Sequence, residues 1–401
     1  MVGIAGIIIK GLSGKVPVAI KQLVLAVTVA LTCSGCQTSE SQYKAIEVAG
    51  FSDVIKHWND QNHRDPQPRY ALHLIRLIAE NILRYQRANG GWPENINPLR
   101  IMSEQEIIRQ AALYNATDTS FDNRNVYPQI RYLAEAYQQT GDEKYQQAVI
   151  RGLRFILSVQ LANGGFTHSP PSTERYYGHI TIMDDVMAGV LGLLQEIKLG
   201  SQRFDFLPAD LVKQLSEAHS RGDALLLDLQ VKTGGELTIW AGQYDAISLL
   251  PTQGRAFELA SLVSRESVDV VRYLMSDPTP SPRKRQAIHN AMAWFKNNAL
   301  TGIDMVQVEA EPVRYKYHTS TWDRVIVTTA DRPPIWARFY DLATQQPLLA
   351  NRQGLRVDTL AQISRERRTG YDWYGRWPAP LLADEYNAWQ QKYAADGISI
   401  R

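Results

Sequence analysis

Q-R-A-N-G-G-W at Gln86 to Trp92, Q-L-A-N-G-G-F at Gln160 to Phe166 and Q-V-K-T-G-G at Gln230 to Gly235 close three apolar helical patterns with the same punctuation. The glutamines stand 74 and then 70 residues apart, a near-constant period that local chemistry alone does not produce. Such a period predicts a repeated helical hairpin. Gly-Gly just past a helix supplies the left-handed residue that a helix C-terminus favours, so each copy is expected to deliver its chain to one rim. Loops gathered on one rim are where a set of helical hairpins would place a binding site.

Outward from these stretches, apolar residues recur at helical spacing. Ala71, Leu74, Ile75, Ile78, Ile82 and Tyr85 form one stripe, predicting a helix from Tyr70 to Gln86. Ile130, Leu133, Ala134 and Tyr137 form another, stopped by Gly141, and Ala148, Val149, Leu153, Ile156 and Leu157 form its partner. Further helix is expected in Met187 to Ile197, Ala224 to Leu229, Val268 to Met275 and Ala287 to Phe295. Between Asp304 and Val327 the runs V-R-Y-K-Y and V-I-V-T-T are β-branched and aromatic, and predict a small inserted sheet. The expected fold is mainly α, an α/α toroid (an incomplete barrel of helical hairpins) with a small β region. A superhelical solenoid is the alternative, because a period alone does not close a ring.

At 401 residues, 44% apolar and 21% charged, the chain has ordinary globular composition, which excludes global disorder. A net charge of +2 leaves no whole-chain footprint for nucleic acid. Lys10, Lys15 and Lys21 precede the apolar run Leu23 to Leu31, too short to span a bilayer, so residues 1–36 read as an export signal. The only cysteines, Cys33 and Cys36, follow in L-T-C-S-G-C, which resembles a bacterial lipoprotein box with Cys36 as the lipid anchor; an ordinary signal peptide is the plainer reading. The mature protein is expected to be exported, as a periplasmic or outer-membrane lipoprotein or a secreted monomer, with residues 37–50 as tether and 51–401 as the catalytic domain.

No Gly-rich phosphate loop, zinc-binding H-E-x-x-H or dinucleotide fingerprint is present. A bound metal is expected to be a hard one, held by oxygen donors. Candidates are Asp122 and Asn123 in T-S-F-D-N, and Asp184 beside Asp185 in H-I-T-I-M-D-D. Each pair precedes a predicted helix, so capping competes with ligation. What favours ligation is that both sites follow the same kind of hairpin. Arg255 in P-T-Q-G-R-A-F-E has Glu258 three residues away as its bland partner. Arg338 and Arg352 stand among Trp336, Tyr340, Tyr371, Trp373, Tyr374 and Trp377. Guanidinium forks match carboxylates and aromatic faces stack on sugar rings, a composition suited to an acidic polysaccharide.

The ordered motifs G-G-W-P, F-D-N, H-I-T-x-x-D-D, W-x-x-Q-x-D, P-x-x-x-R-A-F-E, W-A-R-F-Y and E-R-R-x-G-Y-x-W-Y-G-x-W-P, from about Tyr70 to Tyr393, resemble family 10 of the pectate lyases. The resemblance implies Ca2+-assisted β-elimination of polygalacturonate to 4,5-unsaturated oligogalacturonates. It implies calcium ligands at Asp122, Asn123 and Asp184, the catalytic base at Arg255, and substrate contacts at Arg338, Arg352, Gln243 and Tyr371. Departures from the family pattern fall at Glu94, where lysine is often found, and at Arg124 to Val126. Others fall at Phe166 to His168, Met183, and Trp240 to Asp245. The alternatives are a surface lipoprotein that binds acidic polysaccharide without cleaving it, supported by the drift around Asn125 and Tyr244, and an α/α-toroid glycoside hydrolase using Asp122 and Asp184 as its carboxyl pair.

Overall fold

The computed structural model describes residues 43–62 and 67–395, folded mainly into helices with a small β region. The export segment, both cysteines and residues 37–42 lie outside the described residues. The helices are α1 (Ser52–Gln61), α2 (Ile75–Tyr85), α3 (Glu104–Ala112), α4 (Tyr127–Thr140), α5 (Glu143–Val159), α6 (Val186–Lys198), α7 (Ala209–Asp228), α8 (Ser264–Met275), α9 (Pro282–Asn297), α10 (Arg365–Gly370) and α11 (Tyr386–Ala395). Helices α4 and α5, α6 and α7, and α8 and α9 pair as hairpins. Across them, α4, α6 and α8 are neighbours in one layer, and α2, α5, α7 and α9 in the other. This double layer is the incomplete α/α toroid that the period predicts.

Local chemistry accounts for the helix ends. Gly141 ends α4 with φ +67°, its N–H bonding Tyr137 O at 2.8 Å, and Asp142 then caps α5 by accepting from Lys144 N. The buried stripe of α5 runs through Tyr145, Ala148, Val149, Leu153 and Ile156. Helix α2 starts at Ile75, five residues later than its stripe suggests, because Tyr70 N bonds Leu99 O and Arg69 bridges Arg100. Those backbone groups are spent on a loop and cannot also form a helix. Part of the expected tether is docked as well: Lys44 N donates to Gln139 Oε1 and Ile46 is buried.

The repeated glutamines have a structural task. Gln86 Nε2 donates to Gly90 O and Ala148 O, Gln160 Nε2 to Gly164 O and Ala218 O, and Gln230 Nε2 to Thr238 O and Ala287 O. Each ties its own turn to the next helix of the α5, α7, α9 layer. The glycines differ from expectation: α2 and α5 end before Gln86 and Gln160, and Gly90 and Gly164 lie in the turns beyond, at φ +95° and +97°. A Cβ on Gly90 would stand 2.3 Å from Arg151 O, so close approach as well as backbone conformation demands glycine. Gly234 and Gly235 instead form the tip of a hairpin pairing Lys232–Thr233 with Glu236–Leu237, with nothing within 4 Å. Gly90→Ala is therefore expected to destabilise by about 2 kcal/mol or more and Gly235→Ala by about 1 kcal/mol, measured by urea unfolding.

A fourth copy is visible only in the fold. After α9 the chain makes an antiparallel ribbon, Ile303–Arg314 with Thr319–Thr328, closed at its base by a bridge between Leu300 and Ile335. Trp336 then resumes the rim. The ribbon coincides with the β interval expected from Asp304 to Val327.

Candidate active site

After each turn comes a fully buried aromatic: Trp92, Phe166, Trp240 and Trp336. The three indoles donate to the helix just completed, at Ile82 O, Leu226 O and Phe295 O, 2.7 to 2.8 Å away. The next residue pairs with a neighbouring segment: Pro93 with Thr119, Thr167 with Ile180, Ala241 with Leu262 and Ala337 with Tyr374. Two residues beyond the aromatic stand Glu94, His168, Gly242 and Arg338. Equivalent steps of one repeat thus bring an acid, an imidazole and a guanidinium to one rim.

The two acidic loops approach from the other side. Asn123, Arg124 and Val126 have φ of +55°, +60° and +80°, and Asp184 and Asp185 have +53° and +62°. Asp and Asn tolerate this region, whereas a β-branched residue in it is an outlier held by its surroundings. Neither α4 nor α6 receives a side-chain cap, so capping is not the task of these carboxylates. The adjacent aspartates part company. Gly189 makes room for the Tyr127 ring, whose hydroxyl donates to Asp185 Oδ2 at 2.9 Å, while Asp184 faces the cleft.

Arg255 lies at the centre. Its Nη2 is 3.1 Å from Asp122 Oδ2, and its Nη1 is 3.0 Å from Glu258 Oε1 and 3.8 Å from Asp184 Oδ2. The bland bridge to Glu258 exists, but it is one of three. Glu258 also accepts from the Tyr371 hydroxyl at 2.7 Å. Arg338 Nη2 stands 3.8 Å from Asp184 Oδ1 and is ion-paired to Glu266, with its guanidinium 4.5 Å from the centre of the Tyr371 ring. His168 Nε2 is 3.4 Å from Asp122 Oδ1, and its Nδ1 is 2.7 Å from Ser169 Oγ.

The charges set one another. Burial pushes Asp122 up, but His168 and Arg255 outweigh it and hold the carboxyl well below the usual range. Burial and then the Asp122 charge push Asp184 up to about 8, against Arg255 and Arg338. Burial disfavours the charge on Arg255, yet Glu258, Asp122 and Asp184 together raise it further above the ordinary arginine value.

The remaining sequence candidates fall in different settings. Asn123 Nδ2 donates to Asn95 Oδ1 at 2.8 Å. The Arg352 side chain is 45% exposed, above the Phe257 ring and 3.8 Å from Glu366, so it is open to a ligand. Arg338, by contrast, is only 3% exposed and forms part of the cleft floor. Gln243 is buried, with its Oε1 3.1 Å from His179 Nδ1 and its amide behind Gly254, so it supports the Arg255 loop. Asn125 and Tyr244, where the sequence drifts, are scaffold. Asn125 Nδ2 donates to Trp92 O, Pro93 O and Ser120 O, and the Tyr244 hydroxyl donates to Leu229 O while accepting from Ala241 N. W-A-R-F-Y repeats that construction, with the Tyr340 hydroxyl donating to Asn298 O.

Glu94 and His168, both beside Asp122, were not among the sequence candidates. The period of 74 that relates Gln86 to Gln160 also relates Glu94 to His168, and this was the signal available for them.

A family model described as pectic acid lyase matches residues 86–382. Among solved structures, a mutant of the family 10 polysaccharide lyase from Cellvibrio cellulosa in complex with trigalacturonic acid superposes with a TM-score of 0.65. It is 26% identical, over 87% of this chain and 99% of that one. A further structure of the family 10 polysaccharide lyase from Cellvibrio cellulosa gives a TM-score of 0.65 at 26% identity, over 86% of this chain and 98% of that one. No curated protein matches this chain.

Proposed function

The chain belongs to the pectic acid lyase family and is a lyase acting on polysaccharides, and from that premise we propose that it cleaves polygalacturonate by calcium-assisted β-elimination. The observation that carries this reading is the single guanidinium of Arg255 held among Asp122, Asp184 and Glu258 on the rim. Trigalacturonic acid in the related lyase supports a galacturonate substrate.

The elimination removes the C5 proton, which lies α to the uronate carboxylate. That proton passes to a nitrogen of Arg255 in its neutral guanidine form, the C5–H electron pair becomes the C4–C5 double bond, and the C4–O bond breaks with its electrons on the leaving oxygen, which takes a proton from water. A guanidinium is a poor base near neutrality, and its carboxylate neighbours keep it charged. Turnover is therefore expected to climb on the alkaline side, checked by a pH–rate profile. Arg352, exposed, offers a bidentate fork to a substrate carboxylate, while Arg338 keeps Asp184 oriented from below.

The donors fit a hard cation. Asp122 and Asp184 share the Arg255 guanidinium, and the charge on Asp122 suppresses the ionisation of Asp184, an arrangement that divalent charge relieves. Among the described residues no group of three or more His, Cys, Asp or Glu side chains forms a metal cage, so the set would be Asp122, Asp184 and the Asn123 carboxamide oxygen, completed by substrate or water. Bound there, calcium would supply positive charge for the uronate carboxylate and relieve Arg255 of two of its counter-ions.

The Arg255 guanidinium that both carboxyls share speaks against glycoside hydrolysis, which needs the glycosidic bond between them. The test is polygalacturonate incubated with and without calcium and read in the ultraviolet for unsaturated ends. Cleavage without that absorbance would make the protein a hydrolase. A second measurement separates the arginines: Arg352→Ala is expected to raise KM several-fold at unchanged thermal stability. Arg338→Ala should lower binding, rate and stability together, because it leaves Glu266 buried and unpaired. The lysine-flanked apolar run supports export, and the absence of lipid labelling at Cys36 would remove the anchor alone.

A further inference from the structure

Helix α1 precedes the segment matched by the family model, yet it packs against the Asp122 turn, with Asp53 3.5 Å from Arg124. Its next turn carries Lys56 and His57. Packed on the Asp122 turn, this helix forms one wall of the cleft. Lys56 is exposed and makes no ion pair among the described residues.

Arg124 joins this helix to α8, bridging Asp53, one turn before Lys56, and Asp269, one turn after Arg265, so Lys56 lies on the side of a cluster assembled from three other parts of the fold. Asp372, next to Tyr371, is approached by Arg265 from the first turn of α8, Nη1 to Oδ2 at 3.5 Å, and by Arg324 from the β ribbon, Nη1 to Oδ1 at 3.0 Å. Burial pushes the Asp372 carboxyl up, but Arg265, Arg324, Lys56 and Arg338 together hold it below the usual range. Around one carboxylate there are thus three cations: Lys56, exposed, and Arg265 and Arg324, each partly exposed. The acids nearby are already engaged: Glu266 by Arg338, Asp323 by Arg368, and Asp53 and Asp269 by Arg124, with Arg272 also 3.8 Å from Asp269. The cluster carries excess positive charge, and it is held rigidly, because Arg324 Nη1 also donates to Tyr371 O at 2.9 Å and Arg365 Nε to Trp322 O at 3.1 Å.

We propose that Lys56, Arg265 and Arg324 form a distal subsite for the carboxylate of a further uronate residue of the chain being cleaved. The inference rests on the polyuronate reading above and adds a place beyond the Arg255 centre. A substrate with a carboxylate on every sugar presents its next charge to a neighbouring surface, and this surface has cations without matching anions. The excess charge also draws a polyanion toward the cleft, an effect that weakens as salt screens it.

The experiment is steady-state kinetics on polygalacturonate at low and high salt with Lys56→Glu, Lys56→Arg and Arg265→Gln. Lys56→Glu should raise KM roughly five- to tenfold at low salt, since reversal removes an exposed attraction and adds a repulsion. Its kcat should stay within about twofold, its KM should respond less to salt, and Lys56→Arg should behave as the natural protein. Arg265→Gln should raise KM in the same direction and checks the subsite from α8. An unchanged KM in Lys56→Glu, with cleavage intact, overturns the subsite and leaves the proposed function standing. Failure of the unsubstituted protein to cleave any polyuronate overturns both.

Discussion

Replacing Arg255 with alanine is expected to lower the rate of β-elimination by roughly a thousandfold, the scale of losing a positioned proton acceptor. Binding of trigalacturonate should change by only a few-fold, because a base acts in the transition state and contributes little to the ground state. The same substitution strips Asp122, Asp184 and Glu258 of their shared counter-ion. Breaking a buried ion pair costs about 3–5 kcal/mol, so the variant should also unfold at lower temperature and recover when calcium is added. Rapid-quench kinetics, a binding titration and thermal unfolding measure the three effects. Normal turnover in Arg255→Ala would assign the base to another residue, and His168, 3.4 Å from Asp122, is the group to replace next.

Calcium removal is the second large effect. Chelation should abolish product formation, and Asp122→Asn should weaken calcium binding at least about a hundredfold, because the lost charge is the better ionised of the pair. The metal-free protein also has a pH signature with a definite sign. The Asp184 carboxyl is pushed up to about 8, above its unfolded value, so between about pH 4 and pH 8 the folded state holds a proton that the unfolded chain has released. Stability from this group is fully present below the unfolded value and is lost as pH rises toward 8. Saturating calcium should lessen that slope, and Asp184→Asn should reduce it without abolishing it, because Glu94 and Asp185 are likewise pushed up to about 7. Unfolding curves across this range, with and without calcium, are the check; metal-free stability that rose with pH would place the raised pKa elsewhere.

The repeat illustrates how much function was legible before the fold. The Gln and Gly-Gly spacing located three turns, and the ordered motifs located Asp122, Asp184 and Arg255, which the structure brings within 4 Å of one guanidinium. The glycines do adopt the expected positive φ, but beyond the helix ends, and the second demand on Gly90 is the approach of Arg151 O, a carbonyl about sixty residues away. The fourth copy escaped notice because the ribbon from Ile303 to Thr328 separates α9 from Trp336 and breaks the period.

Sequence by itself determined most of the paired helices, the inserted ribbon and the residue types of the site, since these depend on periodicity, turn chemistry and composition over short stretches, whereas α1, α3 and the first part of α7 were added by the fold. Tertiary structure alone decided how those residues divide their work. Asp184 and Asp185 are adjacent in sequence and chemically identical, yet the Tyr127 ring, admitted by Gly189, takes one and leaves the other to Arg255. Arg338 and Arg352 look alike in sequence, but Glu266 holds the first in the cleft floor while the second stands open beside Glu366. The physical reason is that ionisation, exposure and pairing are set by neighbours distant in sequence, 58 residues for Asp185 and Tyr127 and 133 for Asp122 and Arg255, through charges and excluded water that act over a few ångströms of space and leave no trace in local spacing.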